Sequence, residues 1–233
     1  MKTTLSVLIM CLTMLATTAQ AQKDFSIRGG LTLYNITEAT QFEGADVKSL
    51  AGFTLGIAYQ IPINEQFYIE PGLNFVKKGA KMELDLHEGT SSVTGSIDLS
   101  LDYLEIPVLA KIYFGTGTKF FLIAGPSLGY GVGGKAKYDI TLNDPDFGEI
   151  SDSGSLSVKW GESSTENGVA IKNRVDFGLN FGAGVRINDA FIIDARYNLG
   201  LSNLSGDGDD KSMNRGFQIT VAVPLAINKS TTK

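Results

Sequence analysis

The 233-residue chain has one cysteine, one histidine and one tryptophan. After residue 21 it has no apolar run approaching the roughly 20 residues a membrane-spanning helix requires. Each scarcity removes a class of protein. Cys11 lies inside the apolar stretch 5–16, which follows Lys2 and precedes Ala19-Gln20-Ala21. That order describes a secretory signal peptide over residues 1–21, with cleavage expected after Ala21 and a mature chain of 22–233. The mature chain is then expected to have no thiol, no disulfide and no cysteine-based metal site. A lipoprotein would carry its cysteine at the cleavage point, and Cys11 is not there.

Basic charge is also short. Without Lys2 there remain 19 Lys and Arg against 25 Asp and Glu, a formal net of −6. A phosphate-binding surface would show a basic excess, so no nucleic-acid partner is expected. His87, beside Glu88, lacks the partners that a Ser-His-Asp set or a metal site demands, and neither G-x-S-x-G nor HExxH occurs. No catalytic residue, metal or cofactor is expected, and the protein is read as a non-enzyme. GAGVRI at 182–187 is not followed by a helical pattern, which excludes a dinucleotide loop. The acidic stretches 143–146 and 205–212 lack the ligand spacing of a calcium loop.

What the chain does contain is alternation. In VDFGLNFGAGVRI, residues 175–187, Val175, Phe177, Leu179, Phe181, Ala183, Val185 and Ile187 share one face at a period of two, opposite Asp176, Asn180, Arg186 and three glycines. The same pattern recurs over 25–33, 53–61, 67–75, 103–114, 120–128, 191–201 and 217–225, with no sustained helical period between. The resulting expectation is an all-β, eight-stranded antiparallel up-and-down barrel.

Connections alternate as well. Tight-turn chemistry joins strands at 62–65, 115–118 and 188–189. Long polar segments separate the others: about 14 residues from Ile36, about 20 from Lys78, about 40 from Gly131 and about a dozen from Ser202. Short periplasmic turns and long extracellular loops are the pattern of an outer-membrane barrel. A strand of about 11 residues, rising about 3.3 Å each and tilted about 40°, covers the roughly 25 Å apolar band of such barrels.

Sidedness follows from counting. Each strand carries five or more apolar residues on one face, while glycine and charge crowd the other. The apolar face is therefore expected to meet outer-membrane lipid and the polar face to line a lumen. Pointing inward would be Arg28, Lys111, Arg186 and Arg196, facing Glu70, Glu105, Asp176 and Asp194. Eight strands leave room for little more than side chains, so a closed, salt-bridged lumen is expected. Phe25, Tyr59, Phe67, Phe114, Phe120, Phe121 and Phe191 fall beside the short turns or the chain entry and are read as an aromatic girdle. Tyr34, Phe75, Tyr130, Phe177 and Phe217 would form a second ring. The long segment 131–173, with Tyr138, Phe147 and Trp160, is the expected contact surface for an extracellular or envelope protein. A monomer is expected.

Four segments, YLEIPVLAKIYFG (103–115), FFLIAGPSLGYGVGG (120–134), DFGLNFGAGVRI (176–187) and DARYNLGLSNL (194–204), together resemble the PorT-like outer-membrane β-barrel family. The resemblance covers nearly the whole mature chain. It implies an eight-stranded barrel in the outer membrane of a Gram-negative bacterium, whose founding member is linked to secretion. Function through exposed loops, in envelope structure, adhesion or partner binding, is the leading expectation. Secretion or small-solute transport is the alternative, and a soluble calyx with the opposite sidedness is a third.

Overall fold

A computed structural model describes residues 25–37, 45–146, 148–161, 168–187, 190–205 and 211–225. Its strands are β1 (Phe25–Thr37), β2 (Ala45–Tyr59), β3 (Ile61–Pro62), β4 (Phe67–Glu88), β5 (Ser91–Phe114) and β6 (Lys119–Asp144). They continue with β7 (Gly148–Trp160), β8 (Gly168–Ile171), β9 (Val175–Ile187), β10 (Phe191–Gly200) and β11 (Met213–Pro224). All eight expected strands are present, and they close on themselves. Around the ring, β1, β2, β4, β5, β6, β9, β10 and β11 each pair antiparallel with the next, and β11 returns to β1 from Ser26↔Pro224 to Thr37↔Met213. A closed ring leaves no edge, so its backbone N–H and C=O groups find partners without water.

The pleat sorts the side chains as expected. Leu31, Leu55, Ile106, Leu122, Phe181 and Ile219 are exposed on the outside, while Arg28, Glu70, Glu105, Lys111, Asp194 and Arg196 are buried inside. Turn chemistry fixes the tight end. Asn64 Oδ1 accepts hydrogen bonds from the backbone N–H of Gln66 (3.0 Å) and Phe67 (2.8 Å), an Asx turn. Gly115 and Gly117 reverse β5 into β6 with φ of 95° and 82°, a region only glycine enters freely. The expected turn at 188–189 lies outside the described residues.

At the opposite end the structure departs from the expectation. The segments after Lys78 and after Gly131, read as long loops, are largely strand. β4 and β5 run on as a continuous hairpin to Glu88↔Ser91, and β6 continues to pair with β7 as far as Asp144↔Gly148. His87 therefore stands in a strand opposite Ser92, near the hairpin tip. These extensions carry a reversed polarity. Outward positions on β4 and β5 change from Leu73, Phe75, Leu104 and Ile106 to Lys81, Glu83, Ser96 and Asp98. Inward positions change from Glu70, Asn74 and Glu105 to Ala80, Met82, Leu99 and Leu101. The switch falls at the paired residues Lys77 and Asp102, whose side chains form a 2.6 Å ion pair. Outside apolar below and outside polar above is the profile of a wall leaving hydrocarbon for water.

Several ring glycines sit where strands approach closely. At Gly30, which faces inward, an added Cβ would lie 2.1 Å from the Ile219 carbonyl oxygen, whereas at its neighbour Gly29 the nearest atom is 3.8 Å away. Gly30→Ala should destabilise the barrel by about 1–3 kcal/mol through overpacking, while Gly29→Ala should leave it unchanged. The shift in urea midpoint of the compact, unboiled gel band, read on both variants, checks the contrast.

Candidate functional site

Inside the ring the charges form two clusters. Toward the turn end, Glu70 binds two cations: Arg28 Nη2 donates to Oε1 (2.5 Å) and Lys111 Nζ to Oε2 (2.6 Å). Gln60 Nε2 adds a third bond to Glu70 Oε2 at 2.8 Å and lies 2.9 Å from the Tyr113 hydroxyl. Arg186, half-buried, donates from Nη1 to Gln60 Oε1 at 3.0 Å. Arg196 and Asp194, two residues apart on the same face of β10, pair at 2.7 Å. Lys111 also stands 4.6 Å above the Phe121 ring.

Nearer the open end, Lys78 Nζ is shared by Glu105 (2.6 Å) and Asp176 (3.0 Å). Asn214 Nδ2 bridges Asp176 Oδ2 (3.0 Å) to the Tyr103 hydroxyl (3.3 Å). The Lys78 ammonium lies 5.2 Å from the ring centres of both Tyr34 and Tyr103. Gln218 Nε2 in turn donates to the Tyr34 hydroxyl at 2.7 Å. Taking a charge out of water costs several kcal/mol, and only such multiply bonded pairs offset it.

Every expected lumen residue thus points inward, but the expected balance of four against four omits Lys78. With it, the described inward charges are five cations and four carboxylates. Continuing the period-two count of β4 beyond Phe75, through Val76 to Lys78, would have found it. Two apolar layers bracket the ions. Leu109, Tyr113, Phe121, Ile123, Ile192 and Ala222 cluster at the turn end, and Ile36, Leu101, Tyr103, Val158, Ile171 and Leu204 cluster at the mouth.

The aromatic expectations need correction in two places. Phe25, Tyr59, Phe67, Phe114, Phe120 and Phe191 lie on the outer face near the turns, and Phe25 meets Tyr59 at 5.0 Å between ring centres. Phe121, only 1% exposed, does not join that girdle, because the pleat that turns Phe120 outward sends its neighbour inward. Tyr34 is likewise fully buried in the lumen, outside any second ring.

The contact candidates also differ from the expectation. Trp160 is folded into the mouth: Nε1 donates to the Gly133 carbonyl (3.2 Å), and its ring meets Tyr103 edge-on at 5.4 Å and covers Gly131. Tyr138 lies half-buried across Gly154 of the adjacent strand. Phe147 falls outside the described residues. On the projecting sheet, Lys48 and Glu83 form an exposed pair whose hydrogen bond raises the lysine pKa and lowers that of the carboxyl. His87 Nε2 lies 2.9 Å from Asp85 Oδ1, both exposed. Among the described residues no group of three His, Cys, Asp or Glu has a metal-holding arrangement. Most of the 205–212 stretch lies outside them.

Comparison with known proteins gives a family match. The profile described as outer membrane protein beta-barrel domain matches residues 19–206. Among solved structures, Ail, the attachment invasion locus protein of Yersinia pestis, is similar at 16% identity and a TM-score of 0.43, over 88% of this chain and 100% of its own. Neisserial surface protein A is similar at 12% identity and 0.40, over 86% and 97%. OprG of Pseudomonas aeruginosa is similar at 11% and 0.38, over 88% and 97%. No curated protein matches the sequence.

Removing the shared cation is the sharpest test of the upper cluster. Lys78→Met should cost about 3–5 kcal/mol, because Glu105 and Asp176 are left buried together without it. Adding Glu105→Gln and Asp176→Asn should recover part of that loss. Denaturant unfolding of the wild type, the single variant and the triple variant in lipid vesicles measures the recovery.

Proposed function

The chain belongs to the outer membrane β-barrel domain family and resides in the outer membrane of a Gram-negative bacterium, and on that premise we propose that it works without opening a channel. Its outward-projecting sheet, built from the extensions of β4, β5 and β6 with β7, is the working surface, serving adhesion, partner binding or envelope structure. The observation that carries this reading is the filled lumen. Lys78, Glu105 and Asp176 at one level and Arg28, Glu70 and Lys111 at another are each at most 2% exposed, and apolar layers lie beyond both. An ion crossing would have to break buried pairs worth several kcal/mol in sequence.

Orientation follows from the same division. The tight turns face the periplasm and the projecting sheet faces outward, as in other barrels of this kind. The outer aromatic residues near the turns sit at the periplasmic interface as a belt. A PorT-like part in secretion or solute passage is the second reading, carried by the four sequence segments that resemble that family.

Two measurements test the proposal. The purified protein in planar bilayers should give no reproducible conductance steps, and regular steps would favour the transport reading. The only cysteine of the whole chain is Cys11, so introduced thiols report cleanly. Ile150→Cys, in exposed β7, should react with a membrane-impermeant maleimide on intact cells, whereas Asn64→Cys should react only after the outer membrane is permeabilised. The reverse pattern would overturn the orientation.

A further inference from the structure

Above the upper ion cluster the inner wall of the projecting sheet encloses a cavity of about 470 Å³, within the size range of small-molecule sites. Its walls come from six separate parts of the fold. Ile36 lies near the end of β1, Val47 belongs to β2, Ala80 and Met82 to β4, Ile97 and Leu99 to β5, and Ala170 and Ile171 to β8. Leu204 comes from the segment after β10. Several of these residues also build the mouth cluster that covers Lys78, so the floor of the cavity is the barrel's own apolar seal.

The chemistry of the lining narrows what can occupy it. Aliphatic side chains dominate; none of the described lining residues is aromatic, which disfavours stacking on a planar ligand or a sugar, and the polar ones are Ser205, Ser212 and Lys172. A peptide would bring backbone N–H and C=O groups that this wall cannot satisfy, at a cost of several kcal/mol. A flexible hydrocarbon chain brings none. Among the described lining residues Lys172 is the single charged one, and it is exposed, so it offers a cation at the rim.

We propose that the cavity is a binding site for a long-chain fatty carboxylate, its tail among Ile36, Met82, Ile97 and Leu99 and its head group paired with Lys172. The site goes beyond the proposed surface role and does not require the lumen to conduct, since the occupant enters and leaves from the outer side. It also explains the inverted polarity of the extensions. A sheet in water gains nothing by lining its concave face with Ala80, Met82, Ile97 and Leu99 unless something apolar covers them.

The only tryptophan, Trp160, packs against the same mouth cluster and provides a built-in reporter. The full-length mature protein, folded in micelles of an uncharged detergent, is titrated with undecanoic acid brominated at its terminal carbon. Trp160 emission should be quenched saturably, and unbrominated undecanoate should reverse the quenching. Ala170→Phe fills the cavity and should abolish the saturable component while leaving the compact unboiled gel band intact. Lys172→Gln should weaken the acid by about threefold, the worth of one exposed ion pair, and leave brominated undecanol unchanged.

Quenching that rises linearly, as by simple partition into micelles, would overturn the site. So would saturable quenching that survives Ala170→Phe together with Leu99→Phe. Equal affinity of the wild type for acid and alcohol would overturn the assignment of the head group to Lys172.

Discussion

In hydrocarbon an unpaired backbone N–H or C=O costs several kcal/mol, so a sheet can enter a bilayer only if its first and last strands meet. The pairing of β1 with β11 satisfies that requirement, and most of the remaining structure follows from it. Closing eight strands gives a ring just wide enough for its own side chains. The outward half of each strand must then be apolar for lipid. What is left to point inward is polar, has no bulk water to solvate it, and must satisfy itself. Glycine at Gly30, Gly125 and Gly182 permits the close strand approach that so narrow a ring imposes, since a Cβ at any of them would run into the neighbouring backbone.

The interior meets part of that demand by sharing, while buried atoms such as Arg28 Nε, Asp176 Oδ1 and both polar atoms of the Asn74 amide have no hydrogen-bond partner among the described residues. Glu70 takes two cations and Lys78 takes two carboxylates. Asn, Gln and Tyr side chains occupy the remaining positions, as in the chain from Gln218 to Tyr34 or from Asp176 through Asn214 to Tyr103. Such clusters contribute little net stability against an apolar filling of equal shape, but each is badly hurt by the loss of one member. They are better understood as the cheapest way to fill a lumen whose walls cannot turn over. The apolar layers at both ends keep water from competing for the same bonds.

Much of this was legible in the sequence, and the misses share a cause. The ring strands and eight lumen charges follow from a period of two with one consistently apolar face. The face of Phe121 is ambiguous in the sequence because apolar residues occupy both faces at the start of β6. The projecting hairpins look like loops in the sequence because the alternation changes phase. Along β5 the apolar positions are Ile97, Leu99, Leu101 and Tyr103, then Leu104, Ile106 and Val108. That slip of one residue looks like a strand end. In the structure the strand continues, and only the environment changes, from water with an apolar inside to lipid with an apolar outside. The same change of phase hides Lys78 and the cavity above it. Trp160 looked like a free loop aromatic because nothing in the local sequence reveals Gly131 lying beneath it.

Sidedness remains the claim on which all else rests, and it can be measured directly. Nitroxide labels placed singly at Leu31, Leu55 and Ile219, with the protein in lipid vesicles, can be relaxed by dissolved oxygen or by a water-soluble nickel complex. Frequent collision with oxygen and protection from nickel at all three positions is the expected result. Free access of nickel to these positions would mean that the apolar face does not meet lipid, and the barrel as described here would be inside out.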